Sequence, residues 1–408
     1  MRRAVSESTS ADPDGRSAGP PQARPAPEGL EPAAPNLLEQ VWTGDRGEAS
    51  REPRPARPRV VREATSVGAK ILLVKLSSLG DVVHALPVVQ DIRAAMPDAQ
   101  IDWVVEKSLA PLLAQRAGLH RIIACEIRRW RQSPLAAATW REWRVFRALL
   151  QQDAYDAVID LQGLAKSALV ARLARLAPGG KRYALANQTE GSGYEAPTRW
   201  VADVAIRIAP HTAAVQRSRE LAARALGYTL QSGPHYGLEV PPVHIERAQD
   251  APENIANRIA FVHGTSRADK QWPLGHWIEL GQRLNAAGYQ IVLPHGNARE
   301  LATSQAIAQA LNQSQPASAV VWPLLSLDAL TQALAQCTGV IGVDSGVSHI
   351  AVALDLPHVQ LYNFDTAWRT GPDTGGRQVS VFAQPAPTVE AVWQAWLVCR
   401  AVHRLAAA

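Results

Sequence analysis

ILLVKL, residues 71–76, runs directly into SSLGDVVHALP, residues 77–87. A short apolar run stops at two serines and a glycine, and apolar residues then recur at helical spacing. That is a strand buried on both faces handing over to a helix, the unit from which parallel sheets are built. Asp81 stands at the handover. An acid in the first turn of a helix is favoured by the helix dipole and needs no further reason. At the mouth of a sheet it can also serve as a general base. Lys75, inside the apolar strand, either snorkels out of the sheet or points into a cleft as a counter-charge.

The unit recurs along the chain. IDWVVE (101–106), RIIACEI (121–127) and DAVIDL (156–161) read as strands, and 81–96 and 139–152 have helical period. A second set starts at Arg258, with RIAFVHG, YQIVLPHG, AVVWPLL, GVIGVDSG and HVQLYNF separated by helical segments. Strand–helix alternation of this kind predicts an α/β protein with two Rossmann-like, doubly wound domains facing across a cleft. The turn-rich stretch 229–257 is the expected linker, dividing the chain into domains at 70–240 and 241–387. A last helix, 388–408, can pack on either half, including back on the N-terminal domain. In such sheets ligands bind beyond the C-terminal ends of the strands, so the cleft is the expected site.

Residues 1–69 differ. They hold ten of the 29 prolines and ten basic against ten acidic residues, so the whole net charge of +5 belongs to the rest of the chain. Without periodicity or enough apolar residues, this segment is expected to be a disordered tail. Its two N-terminal arginines are not followed by an apolar segment, which argues against a secretory signal and for a cytoplasmic product. Three scattered cysteines, Cys125, Cys337 and Cys399, form neither a disulfide framework nor a zinc pattern. The only D-x-D lies in the tail, at Asp12 and Asp14, so no carboxylate-held metal and no other cofactor is expected.

Three loops of the second half suit a phosphorylated ligand. In GVIGVDSGVSHIAVAL (339–354) a strand meets a helix at Asp344-Ser345-Gly346, with His349 one turn on. Free N–H groups and the dipole at that helix start favour a phosphate, although Asp344 or Ser345 can equally act as a simple cap. HGTSRADKQWP (263–273) sets Thr265 and Ser266 ahead of Lys270, hydroxyls and an ammonium that suit a diphosphate. LPHGNARE puts Glu300 where a carboxylate can accept from ribose hydroxyls, or simply face solvent. A glycine fingerprint for dinucleotides is missing after the first strand of either domain, which argues against a dehydrogenase.

In the first half, basic residues crowd 116–147: Arg116, Arg121, Arg128, Arg129, Arg131, Arg141, Arg144 and Arg147, interleaved with Trp130, Trp140, Trp143 and Phe146. This mixture suits anionic groups and a membrane interface, or a solvated helix face over ordinary core aromatics. It also suits base stacking, so a nucleotide- or nucleic-acid-binding module is the alternative outside enzymes. DLQGLAKSALVARLAR (160–175) repeats strand, turn and helix, offering Gln162, Lys166 and Ser167 to an anionic acceptor or only to a helix first turn.

Together, KLSSLGDVVHALPV, IRRWR, DLQGLAKSA, HGTSRADKQWP and VDSGVSH resemble the lipopolysaccharide heptosyltransferase I family of glycosyltransferase family 9, in the right order over about residues 70–400. The resemblance implies a GT-B fold and metal-independent, inverting transfer of heptose from ADP-heptose to Kdo of Kdo2-lipid A. It places the protein at the cytoplasmic face of the anionic inner membrane, with no nucleic-acid partner. It makes Asp81 the catalytic base, with Ser78 and Gly80 beside it. It assigns Thr265, Ser266, Lys270, Glu300, Asp344, Ser345, Gly346 and His349 to the donor. Ser78, Gly80, Arg128, Arg129, Arg131, Gln162 and Lys166 fall to the acceptor. Ser345 stands where many relatives have threonine, and Ala268 where a second acid often precedes Asp269. Siblings that add the second or third heptose share the fold and the DSG-type turn. SSLGD and IRRWR favour type I over them, and the arginines favour an anionic acceptor over that of another sugar transferase.

Overall fold

The structure, a computed structural model, describes residues 68–114, 118–238, 240, 257–372 and 376–407. The expected tail, up to residue 67, and most of the expected linker (239 and 241–256) lie outside these residues.

The first six strands are β1 (Lys70–Val74), β2 (Gln100–Glu106), β3 (Arg121–Cys125), β4 (Ala154–Asp160), β5 (Arg175–Leu185) and β6 (Val204–Ile206). They form one parallel sheet in the order β3-β2-β1-β4-β5-β6. The next six are β7 (Arg258–Val262), β8 (Gln290–Leu293), β9 (Ala319–Val321), β10 (Gly339–Val343), β11 (His358–Tyr362) and β12 (Gln378–Phe382), again all parallel, in the order β12-β11-β10-β7-β8-β9. In each sheet the chain starts centrally, moves to one edge, returns and continues to the other. Successive side chains of β1 serve opposite faces: Ile71 and Leu73 join one apolar layer, Leu72 and Val74 another. β7 behaves alike, with Ala260 and Val262 on one side and Ile259 and Phe261 on the other. Burial on both faces is why these strands read as continuous apolar runs.

Some elements differ from the sequence expectation. The helix expected over 81–96 is two, Leu79–Ala85 and Pro87–Ala95, because Pro87 has no N–H to continue the ladder. β5, β6 and β12 were not anticipated. β5 carries Pro178, Gly179 and Gly180, and its register on β4 shifts between Tyr155 and Ala157, so no clean apolar run marks it. Among the described residues the last helix, Val389–Ala407, packs on β11, β12 and helix Leu274–Ala286 of the second half. Val389, Val392, Ala395, Trp396 and Cys399 share a core with Ile259, Phe261 and Trp277. Gly339 lets Trp396 lie against β10, since a Cβ there would meet the indole and the Pro357 carbonyl.

The two halves share an apolar layer in which Val82, Val83 and Leu86 join Val262, Val340, Ile350 and Ala351. Helix Leu79–Ala85 abuts helix Gly346–Ala353 across the cleft. Glycines make this possible. A Cβ on Gly80 would stand 2.8 Å from the His349 ring, and one on Gly346 2.8 Å from Leu79.

Candidate active site

Each sheet reverses its winding beside its first strand, between β1 and β4 and between β7 and β10. The loops leaving those strands therefore splay apart and open a crevice at each switch point. Lys75–Ser78 and Leu161–Leu164 come from the first sheet, His263–Lys270 and Asp344–Ser345 from the second.

Asp81 occupies the third position of helix Leu79–Ala85 and accepts from the Ser78 backbone N–H (3.1 Å) and hydroxyl (2.9 Å). It is thus a capping acid, and more besides. The Lys75 ammonium, almost fully buried, stands 3.7 Å from its other oxygen and donates to the Leu161 carbonyl at 3.1 Å. Burial works to raise the Asp81 pKa, but Lys75 and the two Ser78 bonds outweigh it and hold the carboxyl well below the usual carboxylate range. Burial lowers the Lys75 pKa against the pull of Asp81 and Asp160. Lys75 is therefore a buried counter-charge to Asp81, beneath the cavity wall rather than in the cleft.

Across the cleft, Asp344 binds Lys270 Nζ at 2.5 Å, and its other oxygen lies 3.3 Å from both His349 Nε2 and Thr370 Oγ1. Burial pushes this carboxyl up, yet His349 and Lys270 hold it well below its ordinary range. Ser345 caps helix Gly346–Ala353, its hydroxyl accepting from the Ser348 N–H, and leaves the first N–H groups of the helix facing the cavity. The Thr265 hydroxyl reaches the Asp344 carbonyl at 3.5 Å. The His84 and His349 rings meet at a tilt of 57°, with centroids 4.2 Å apart. Burial, then His349, keeps the His84 pKa well below its ordinary value.

These residues line two cavities. The larger, about 730 Å³, contains Thr265, Ser266, Glu300, Arg299, Leu327 and Val347 among its walls. Glu300 accepts from the Gly296 N–H (2.7 Å) and lies over Gly264, where a Cβ would stand 2.6 Å from its carboxyl carbon. The smaller cavity, about 240 Å³, is lined by Asp81, His84, Lys270, Asp344, His349, Arg217 and Arg369. Ser78, Gly80, Ser266, Ser345 and Gly346 line both. The structure thus brings Asp81 and every donor-side residue expected from the sequence to one continuous crevice. Among the described residues no group of three or more His, Cys, Asp or Glu is placed to hold a metal ion.

The residues expected at the acceptor divide. Arg128 and Arg131, one turn apart on helix Ile127–Gln132, face a separate hollow of about 300 Å³ with Lys166 and Glu106. Lys166 also donates to the Ser77 hydroxyl at 2.9 Å. Arg129 points elsewhere, into ion pairs with Glu126 and Glu142, because it follows Arg128 by only one residue on the helix. Gln162 turns its amide onto the backbone of the neighbouring loop. It accepts from the Leu76 and Ser77 N–H groups (2.8 and 3.4 Å) and donates to the Ser77 carbonyl at 2.8 Å, bracing the loop that carries Asp81. Asp160, pushed up to about 6 by burial, braces the neighbouring loop through Gln162 N–H, Gly163 N–H and the Ser167 hydroxyl.

Two charged residues lining the smaller cavity escaped the sequence reading. Arg217 is buried on helix Ala214–Leu226, three residues after buried Ala214 and four before buried Leu221. That spacing puts it on the inward face and was a usable signal. Arg369 lies in the four-residue helix Ala367–Thr370, too short to have a period.

Comparison with known proteins agrees with this geometry. The family model described as glycosyltransferase family 9 (heptosyltransferase) matches residues 143–392. Lipopolysaccharide heptosyltransferase 1 of Escherichia coli K12 is 37% identical over 295 residues, covering 72% of this chain and 87% of that protein. Lipopolysaccharide heptosyltransferase 2 of the same strain is 27% identical over 307 residues, covering 72% and 82%. The solved structure of E. coli heptosyltransferase WaaC with ADP-2-deoxy-2-fluoro heptose superposes with a TM-score of 0.65 at 34% identity, covering 80% of this chain and 98% of that one. The chain is an enzyme of glycosyltransferase family 9, the heptosyltransferases, and has the two-domain GT-B fold.

Proposed function

We propose that the protein transfers L-glycero-D-manno-heptose from ADP-heptose to Kdo of Kdo2-lipid A, with inversion and without a metal ion. The observation that carries this is the convergence of Asp81 from one half and Lys270, Asp344 and His349 from the other on a single small cavity, open to a larger one that can take a nucleoside. The greater identity to type 1 than to type 2 relatives, and the ADP-heptose analogue held by the E. coli enzyme, support the donor and the first-heptose assignment.

In this mechanism ADP-heptose lies with its nucleoside in the large cavity. Glu300 accepts from the ribose hydroxyls, and the diphosphate meets Thr265, Ser266, Lys270 and the start of helix Gly346–Ala353. Lys270 has three donors and gives one to Asp344, so others remain for phosphate oxygens. The acceptor hydroxyl oxygen attacks the anomeric carbon from the side opposite the diphosphate. The bond from that carbon to the phosphate oxygen breaks, ADP leaves, and Asp81 takes the hydroxyl proton. A carboxylate held this acidic is a weak base, so positioning and stabilisation of the leaving diphosphate supply much of the acceleration.

The acceptor is a lipid, and one surface suits that. Leu135, Trp140, Val145 and Leu149 are exposed beside Arg131, Arg141 and Arg144, a mixture that favours an anionic membrane interface. Among the described residues no helix is long and apolar enough to cross a membrane. With a lipid acceptor and this surface, the enzyme would work as a peripheral protein at the cytoplasmic face of the inner membrane.

The test is ADP release from ADP-heptose, with and without Kdo2-lipid A, in the presence of a chelator. Release that requires both substrates and survives chelation is expected. A protein that binds ADP but releases none with this pair would overturn the donor-sugar or acceptor assignment, and loss on chelation the metal-free mechanism.

A further inference from the structure

The small cavity holds more positive charge than the mechanism above uses. Lys270 is paired with Asp344, and Asp81 with Lys75 just beneath the wall. Arg217 and Arg369, which also line it, form no ion pair among the described residues. The contrast with Arg219, two residues from Arg217, is informative: it is equally buried and is clamped by both oxygens of Asp91 at 2.8 and 2.9 Å. Asp81 acts on Arg217 only from beyond ion-pair distance, and half-buried Arg369 has no carboxylate in contact either; two guanidinium groups so placed at a cavity wall point to an anion that arrives with a ligand.

The pair is built. Arg217 is 6% exposed, and its Nη1 donates to the Thr189 hydroxyl at 2.9 Å. Thr189 is tied in turn to the Ser192 hydroxyl at 3.0 Å. Arg369 comes from the other half and donates to the Gly191 carbonyl; Gly191 has a φ of 64° and no room for a side chain against that guanidinium. The Nε of each arginine is buried and has no hydrogen-bond partner. Next to Arg369, Trp368 stacks on His211 of the first half at 3.7 Å, and Thr370 bonds Asp344. Arg217 thus comes from the half that carries Asp81, and Arg369 from the half that carries the donor loops.

We propose that Arg217 and Arg369 together bind the carboxylate of the acceptor sugar and so set the hydroxyl to be glycosylated against Asp81. This rests on the acceptor reading above and relocates the carboxylate contact from the IRRWR helix to the cleft itself. Because the two arginines belong to different halves, the subsite exists only when the halves face one another. Acceptor binding and closure are then coupled.

The test uses the full-length enzyme, a soluble Kdo glycoside with a single carboxylate, and the same glycoside as its carboxamide. Arg369→Gln should raise the KM for the carboxylate acceptor about tenfold or more, the size of one lost charge-assisted hydrogen bond. The KM for ADP-heptose and the Kd for ADP should stay within about twofold. The carboxamide should cost wild type a similar factor and cost Arg369→Gln little more. Arg217→Gln should behave alike; if it unfolds, as melting would show, Arg369→Gln carries the test. A rise in the ADP-heptose KM or ADP Kd instead would assign the pair to the diphosphate. A carboxamide penalty equal in wild type and variant would mean the carboxylate is read elsewhere. A wild type that binds ADP yet transfers nothing to the glycoside overturns the acceptor reading, and this inference with it.

Discussion

Asp81→Asn separates the two roles that the structure allows this residue. As a cap, Asp81 accepts two bonds from Ser78; asparagine retains one acceptor oxygen and can keep part of that. As a counter-charge it faces buried Lys75 at 3.7 Å, an attraction of about 1 kcal/mol in bulk water and about 4 kcal/mol at an effective dielectric constant near 20. Because 41% of the Asp81 side chain is exposed, the lower end applies, and the variant should lose about 1 kcal/mol of stability. As a general base it should matter more. Its loss costs roughly a hundredfold or more in turnover, about 2.7 kcal/mol of barrier. Turnover is read as ADP release with both substrates saturating, and stability by thermal melting. The pH dependence follows from the depressed pKa. The carboxylate's stabilisation is complete above about pH 4, the unfolded value, and is lost only as pH falls further toward the folded one. The melting difference between wild type and variant should therefore be flat from pH 6 to 8 and shrink in acid. A variant within about threefold of wild-type turnover, yet less stable, would make Asp81 a helix cap alone.

Lys270→Met removes the ammonium from Asp344 and from the donor loop, so ADP binding measured by calorimetry should weaken about tenfold or more. Gln162→Leu leaves the Leu76 and Ser77 N–H groups and the Ser77 carbonyl unmatched, costing about 2 kcal/mol or more of stability and lowering turnover by loosening the Asp81 loop. Gly346→Val would drive a side chain into Leu79, part the two halves and crowd the diphosphate, which should lower kcat and weaken ADP binding together. His263, bonded to Ser304, is pushed down to about 4 by burial, so its stabilisation is complete above about pH 6.5 and is lost as pH falls toward 4. His263→Gln should therefore lose least relative to wild type at the acid end of that range, as melting curves at stepped pH would show.

Most of the elements, the doubly wound class and most of the residues that meet at the crevice could be read from the chain alone. Strands covered on both faces must be apolar throughout, and the turns after β1, β7 and β10 must carry glycine or hydroxyl residues where backbone approaches a ligand. Those constraints act within about fifteen residues of chain, so ILLVKLSSLGD, HGTSRADK and GVDSGVSH announce themselves. Other features depend on contacts between distant segments. Arg129 and Arg131 look alike in IRRWR, yet one is spent on Glu126 and Glu142 and the other faces a hollow, a distinction made by helical phase and by a neighbouring helix. Gln162 looked like a ligand contact and is a brace, because only folding brings the Leu76–Ser77 backbone to its amide. The last helix is amphipathic enough for either half, and the gap over Gly339 that admits Trp396 decided between them. Arg217 and Arg369 lie 152 positions apart in the sequence and have no shared pattern. Their meeting at one cavity is a product of two sheets facing each other, which no local spacing encodes.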